Sequence, residues 1–195
     1  MKTSFSQLLR LSEKLLQEEI EKTGFPFLEN HRVALIYGRR LAKRYKVDAD
    51  FICACLNFMD LKVGEAFLNH RLEDHIQMSL DATLAAIKPL QLGCLIIQKI
   101  KDCILCHHGV DSYPSVEAEI CANADCFKFL HPRGGLTMIA GLMAKGLSFE
   151  EAVSLLEEKI EEKLKIVSLP ELKKEASSYA RLWQKILPAA LSLKG

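Results

Sequence analysis

Apolar residues recur every three or four positions along nearly the whole chain, and no segment alternates apolar and polar residues as a half-buried strand would. That period matches the 3.6-residue helical turn, so the fold class is read as all-α. Phe5, Leu8, Leu9, Leu15, Leu16 and Ile20 fall at helical spacing in a segment expected to be helical over residues 4–22, with Glu18, Glu19 and Glu21 opposite; Gly24 and Pro26 end it. A second helix is expected over 29–45. Asp48 is placed to cap the third, which carries Phe51, Ile52, Cys55, Leu56 and Met59 on one side. After a loop through Gly64, a fourth helix is expected from Asp74 to Lys88. A fifth runs over 92–107 and closes at Gly109. Ser112 to Ser115 open a sixth. The run His131-Pro132-Arg133-Gly134-Gly135 breaks the chain before a short helix, and Ser148 with Glu151 forms a capping box for another at 149–165. Ser168-Leu169-Pro170-Glu171 repeats that signature for a last helix to about 187.

A chain of 195 residues can bury roughly 70% of its unfolded surface in one core, so no disulfide is needed to hold it. One domain is expected over 1–195, with a core at about 28–130 on which the first helix and the helices of 136–190 pack. The net charge of +1 exerts no global pull on nucleic acid or anionic membrane. MKTSFSQLLR lacks an apolar signal region, and no stretch reaches the ~18 apolar residues of a membrane span. The expectation is a soluble, cytoplasmic protein. Arg39, Arg40, Lys43, Arg44 and Lys46 cluster on the second helix with only Tyr37 and Tyr45 interleaved. They are read as a solvated face paired with the acidic first helix, not as a nucleic-acid surface. Leu182 and Trp183 give the last helix an apolar face that packs internally or forms a homodimer.

KDCILCHHGV concentrates metal-capable side chains. Cys103-x-x-Cys106-His107 has the form of a c-type haem attachment site, of half a zinc site, or of a redox pair. Haem attachment normally follows export, which nothing here directs. A zinc finger needs a second pair, and Cys121 and Cys126 are poorly spaced for it. The seven cysteines are therefore read mainly as core packing, which leaves His107 and His108 as the informative part.

Other polar residues sit where a helix pattern does not want them. Asp60 ends an apolar helix, where unpaired carbonyls disfavour a carboxylate unless a cation is near. Asp125 projects among Ala118, Cys121 and Ala122 on a helix apolar on both sides, so it is expected to be buried and to need a charge partner or a metal. His31 lies on the line of Leu35, Gly38 and Ala42, and His75 opens the fourth helix. Each alone reads most simply as a hydrogen-bonded core residue or a cap. Together they form a mixture of imidazole and carboxylate suited to hard or borderline metals.

In order along the chain, Asn30-His31-Arg32-Val33, Leu56-Asn57-Phe58-Met59-Asp60-Leu61, Glu73-Asp74-His75, Ile104-Leu105-Cys106-His107-His108 and Glu117 to Asp125 resemble the HD superfamily of metal-dependent phosphohydrolases. The resemblance covers residues 28–130. It implies an α-helical bundle holding a divalent metal (Mn, Fe, Mg, Ni or Zn) with His31, Asp60, His75, His107, His108 and Asp125. It further implies hydrolysis of a nucleotide or another small phosphate ester, with Asp60 or His75 assisting proton transfer and Arg32, Arg71 and Arg133 as phosphate contacts. The sequence departs from the family at its defining doublet, where Met59 stands in place of histidine. A thioether is a poor ligand for such metals. The alternative implied is a degenerate domain that binds or regulates without catalysis.

Overall fold

The computed structural model describes residues 5–192. Every regular element among them is helical: α1 (Phe5–Thr23), α2 (Leu28–Tyr45), α3 (Ala49–Met59), α4 (Val63–Leu68), α5 (His75–Ile87), α6 (Cys94–Leu105), α7 (Val116–Leu130), α8 (Pro132–Ala144), α9 (Phe149–Ile166) and α10 (Pro170–Leu191), with short 3-10 turns at Leu72–Asp74 and Lys88–Leu90. Residue 4, where the first helix was expected to begin, lies outside the described residues. No described helix is long and apolar enough to cross a membrane.

The central element is α7. It packs against α2, α3, α6, α8, α9 and α10, and nearly all its side chains are buried, as a helix apolar on both sides requires. Its start is fixed by Ser115, whose hydroxyl accepts from the Ala118 amide. α3 lies beside it, capped by the Asp48 carboxylate, which accepts from the amides of Asp50 and Phe51. Met59 is fully buried in the apolar core. The other side of the bundle is closed by α10, whose Trp183 is 1% exposed and donates its indole N–H to the Leu130 carbonyl.

Several boundaries differ from the sequence reading, each for a local reason. The expected loop through Gly64 is the short helix α4, whose Gly64 backbone packs closely on the end of α1: a Cβ there would lie 2.2 Å from the Thr23 hydroxyl. α6 stops at Leu105, so His107 and His108 sit in the turn beyond it, which closes at Gly109 with φ +90°. The expected break at 131–135 is instead the first turn of α8: Pro132 occupies its first turn and the His131 ring accepts from the Arg133 amide. Ser168 does not cap α10. Its hydroxyl donates to Glu119, and the amides of Ser168 and Leu169 donate to the Asn123 side chain. α10 then continues through Pro188 to Leu191. The basic cluster of α2 pairs with α10, not with α1, through Arg40–Glu175 at 2.8 Å and Arg44–Glu171 at 2.7 Å. Trp183 faces the interior, while Leu182 stays 40% exposed.

The corner between α7 and α8 is the tightest backbone approach near the site. A Cβ on Gly134 would stand 2.1 Å from the Lys128 carbonyl oxygen. Asn30 spans the same corner, donating to the carbonyls of Lys128 at 2.6 Å and Gly134 at 3.2 Å. A backbone atom cannot rotate away as a side chain can. Gly134→Ala is therefore expected to destabilise the protein by about 2 kcal/mol or more, read as a lower urea midpoint at unchanged slope.

Candidate functional site

The C-terminal end of α3, the first turn of α5, the turn after α6, and the C-terminal parts of α7 and α9 meet around one pocket of about 430 Å³. Asp60, His75, His107, His108, Asp125, Lys128 and Lys163 form its polar end. Asp125 and Lys128 are one helical turn apart on α7, so their heads meet on one face. Each is 2% exposed.

Lys128 lies between the two carboxylates. Its ammonium donates a short hydrogen bond to Asp60 Oδ2 and stands 2.7 Å from Asp125 Oδ1. Lys163, on α9, adds a second buried ammonium 3.1 Å from Asp125 Oδ2. Burial disfavours charge on all four groups, but the mutual attraction prevails: both carboxyls are held below the ordinary carboxylate range and both lysines above the ordinary ammonium range. The cluster is a chain of alternating charge, Asp60–Lys128–Asp125–Lys163.

The histidines form a second group. His75 Nδ1 lies 2.6 Å from the Leu72 carbonyl, and His107 Nδ1 lies 2.6 Å from the Ile104 carbonyl. A carbonyl only accepts, so each Nδ1 carries its proton, and in the neutral ring Nε2 is left as a bare acceptor. Those Nε2 atoms face Asp60 Oδ1 at 3.9 Å and 3.8 Å, too far for a hydrogen bond. His107 Nε2 is buried without a hydrogen-bond partner. Burial holds the His107 ring below its usual pKa and pushes His108 down to about 3, which keeps both neutral and able to bind a cation. His75, His107 and His108 each offer a ligand atom within 4.8 Å of the others, so the trio can hold a metal ion. The backbone-anchored Nδ1–H is the arrangement that orients metal-binding imidazoles.

The remaining site expectations divide. His31 is 1% exposed but does not line the pocket. Its Nε2 is 2.8 Å from Asn57 Oδ1, and Asn57 in turn donates to Ser12, whose hydroxyl donates to the Leu9 carbonyl. Arg32 and Arg133 pair with Glu29, and Arg71 with Asp74; all three are more than half exposed and none reaches the pocket. Long, strongly solvated side chains found carboxylates on the surface instead. Lys159 and Lys163 of α9 also line the pocket, from a stretch of chain after residue 135 that holds no histidine or cysteine. Lys128 and Lys163 are the buried charged residues of the pocket that the sequence did not single out. The only signal was the requirement that a buried Asp125 have a counter-charge. The cysteines are all free thiols; Cys103 and Cys106 are buried, and neither joins the metal-capable group found among the described residues.

No family model, curated protein or solved structure matches the chain.

The charge chain has a measurable consequence. Lys128→Met leaves two buried carboxylates sharing one ammonium and is expected to cost about 3–5 kcal/mol at pH 7. The deficit should shrink toward pH 4–5, because in the variant the carboxyls are raised and protonation relieves them. Urea unfolding at the two pH values checks this.

His31 supplies a pH dependence of opposite sign. Burial, helped by the Lys128 charge, lowers its pKa to about 4, against about 6.5 for an unfolded histidine. Between those values the unfolded chain binds the proton and the folded chain does not. Stability is complete above pH ~6.5 and falls by up to about 3 kcal/mol as pH drops toward 4. Both carboxylates are depressed, so their own losses come below pH ~4. Urea unfolding of chelator-treated protein should show the decline between pH 6.5 and 4, and His31→Asn should flatten part of it.

Proposed function

We propose that the chain is a variant HD-type hydrolase that binds one divalent metal on His75, His107 and His108 beside Asp60 and cleaves a small phosphate ester. The observation that carries this reading is the bare Nε2 of His107, buried without a partner and facing Asp60 Oδ1 across 3.8 Å. Two acceptors face a shared space, which suits a cation. Support also comes from the order His31, Asp60, His75, His107, His108, Asp125, which resembles the HD pattern. The convergence of all but His31 on one pocket adds to it.

The residues fit a metal at the histidine trio and do not fit one between His31, Asp60 and Asp125. There Met59 is packed in the core, His31 is bound to Asn57, and Lys128 already bridges the carboxylates. A bound metal supplies a Lewis acid for the phosphoryl oxygen and an acidified water. Asp60 Oδ1, 3.9 and 3.8 Å from the Nε2 atoms of His75 and His107, is placed to accept a hydrogen bond from an attacking water and would orient it. Its low pKa makes it a weak base, so its part is positioning. Lys128 and Lys163 offset the charges of Asp60 and Asp125, so a phosphate beside them meets a neutral rather than an anionic cluster. In hydrolysis the water oxygen bonds phosphorus, the ester P–O bond breaks, and the proton lost by water ends on the departing alkoxide.

A second reading, a binding or regulatory module without catalysis, is favoured by Lys128 itself, because its ammonium already neutralises the Asp60–Asp125 position. Elemental analysis of tag-free protein after loading with Mn²⁺ or Zn²⁺ separates the readings. About one ion per chain is expected. His107→Ala should weaken metal affinity at least roughly tenfold, the scale already lost when a supporting hydrogen bond alone is removed. Metal without phosphate release from any monoester leaves the binding module, and no metal at all ends the hydrolase.

A further inference from the structure

The pocket lining falls into two chemical groups. Its polar residues belong to the charge chain and the histidine trio or to the rim, where Glu73 and Lys159 lie. The rest of the lining is mainly apolar: Phe25 lies near Phe27 and Phe67 with ring centroids 4.6 and 4.8 Å apart, and Phe129, Leu142 and Leu155 line the same pocket. Asn30, the one amide side chain lining the pocket, donates its N–H groups to the carbonyls of Lys128 and Gly134. Lys159 is paired with Glu162 at 2.6 Å.

A purine or pyrimidine and its ribose carry several donors and acceptors, and a site that buries them must answer each one or lose the cost of desolvation. Walls of phenylalanine and leucine answer none. An alkyl chain or a plain ring asks for nothing there and gains from leaving water.

We propose that the pocket takes a phosphate monoester of an apolar alcohol, with the phosphate at the histidine–lysine end and the hydrocarbon against Phe25, Phe27 and Phe67, and that it disfavours nucleotides. The phosphate half rests on the metal reading given above; the hydrocarbon half rests on the walls alone. The volume of 430 Å³ lies within the range of small-molecule pockets.

The test is calorimetric titration of the full chain with ethyl, butyl and hexyl phosphate, phenyl phosphate and adenosine monophosphate, with the metal content of each sample measured separately. Affinity is expected to rise about fourfold per methylene along the alkyl series, and phenyl phosphate should bind at least tenfold more tightly than adenosine monophosphate. Phe67→Gln, on a partly exposed wall residue, should weaken hexyl phosphate about tenfold and leave metal content unchanged. Should that variant fail to fold, the chain-length slope on the unaltered protein still decides. A flat slope, no binding by any alkyl phosphate, or tighter binding of adenosine monophosphate overturns the proposal. A slope measured in metal-free protein upholds the apolar pocket while removing the metal centre. Metal bound with a flat slope does the reverse.

Discussion

The Lys128 ammonium between Asp60 and Asp125 is the contact on which the site depends. It joins the end of α3 to the last turns of α7, and through Asp125 it ties in Lys163 of α9. Three helices remote in sequence are thus fastened by charges that none of them could keep buried alone. Such an ion cluster is not a strong source of net stability, since desolvation consumes most of the attraction. Its effect is to make any other arrangement of these helices costly, because a shifted helix strands a buried charge.

The histidines build on that frame. His75 and His107 come from separate segments, yet each ring is turned by the same device, an Nδ1–H held by the carbonyl three residues earlier. Local backbone geometry sets the tautomer, and tertiary packing brings the Nε2 atoms to one place. The end of α6 at Leu105 matters here, for a helix continued through residue 108 would have committed the Ile104 carbonyl to the His108 amide.

The all-helical class was legible because apolar spacing is a property of each segment by itself. The burial of Asp125 was legible for the same reason: a helix with no polar face has nowhere exposed to put it. Lys128 was not, because a lysine beside an apolar stretch ordinarily extends to solvent. Lys163 was hidden in EEKIEEKLK, where a run of charge reads as a solvated face and only packing against α7 singles out one member. The arginines failed for the complementary reason, since their pattern could not say that Glu29 and Asp74 lay closer than the pocket. α8 was misjudged because Gly134 and Gly135 signal a break in sequence but permit close helix packing in space.

Lysine is the side chain with among the most rotational freedom to lose, about 2 kcal/mol when fully fixed. Lys128 is fixed at both ends, its carbonyl held by Asn30 and its ammonium by two carboxylates. Lys163 is confined almost as fully. The interior therefore carries two of the most mobile side chains in an immobile state. A metal ion in the same position would need no such ordering, but the lysines make the counter-charge to Asp60 and Asp125 permanent and intramolecular, independent of any ion concentration around it.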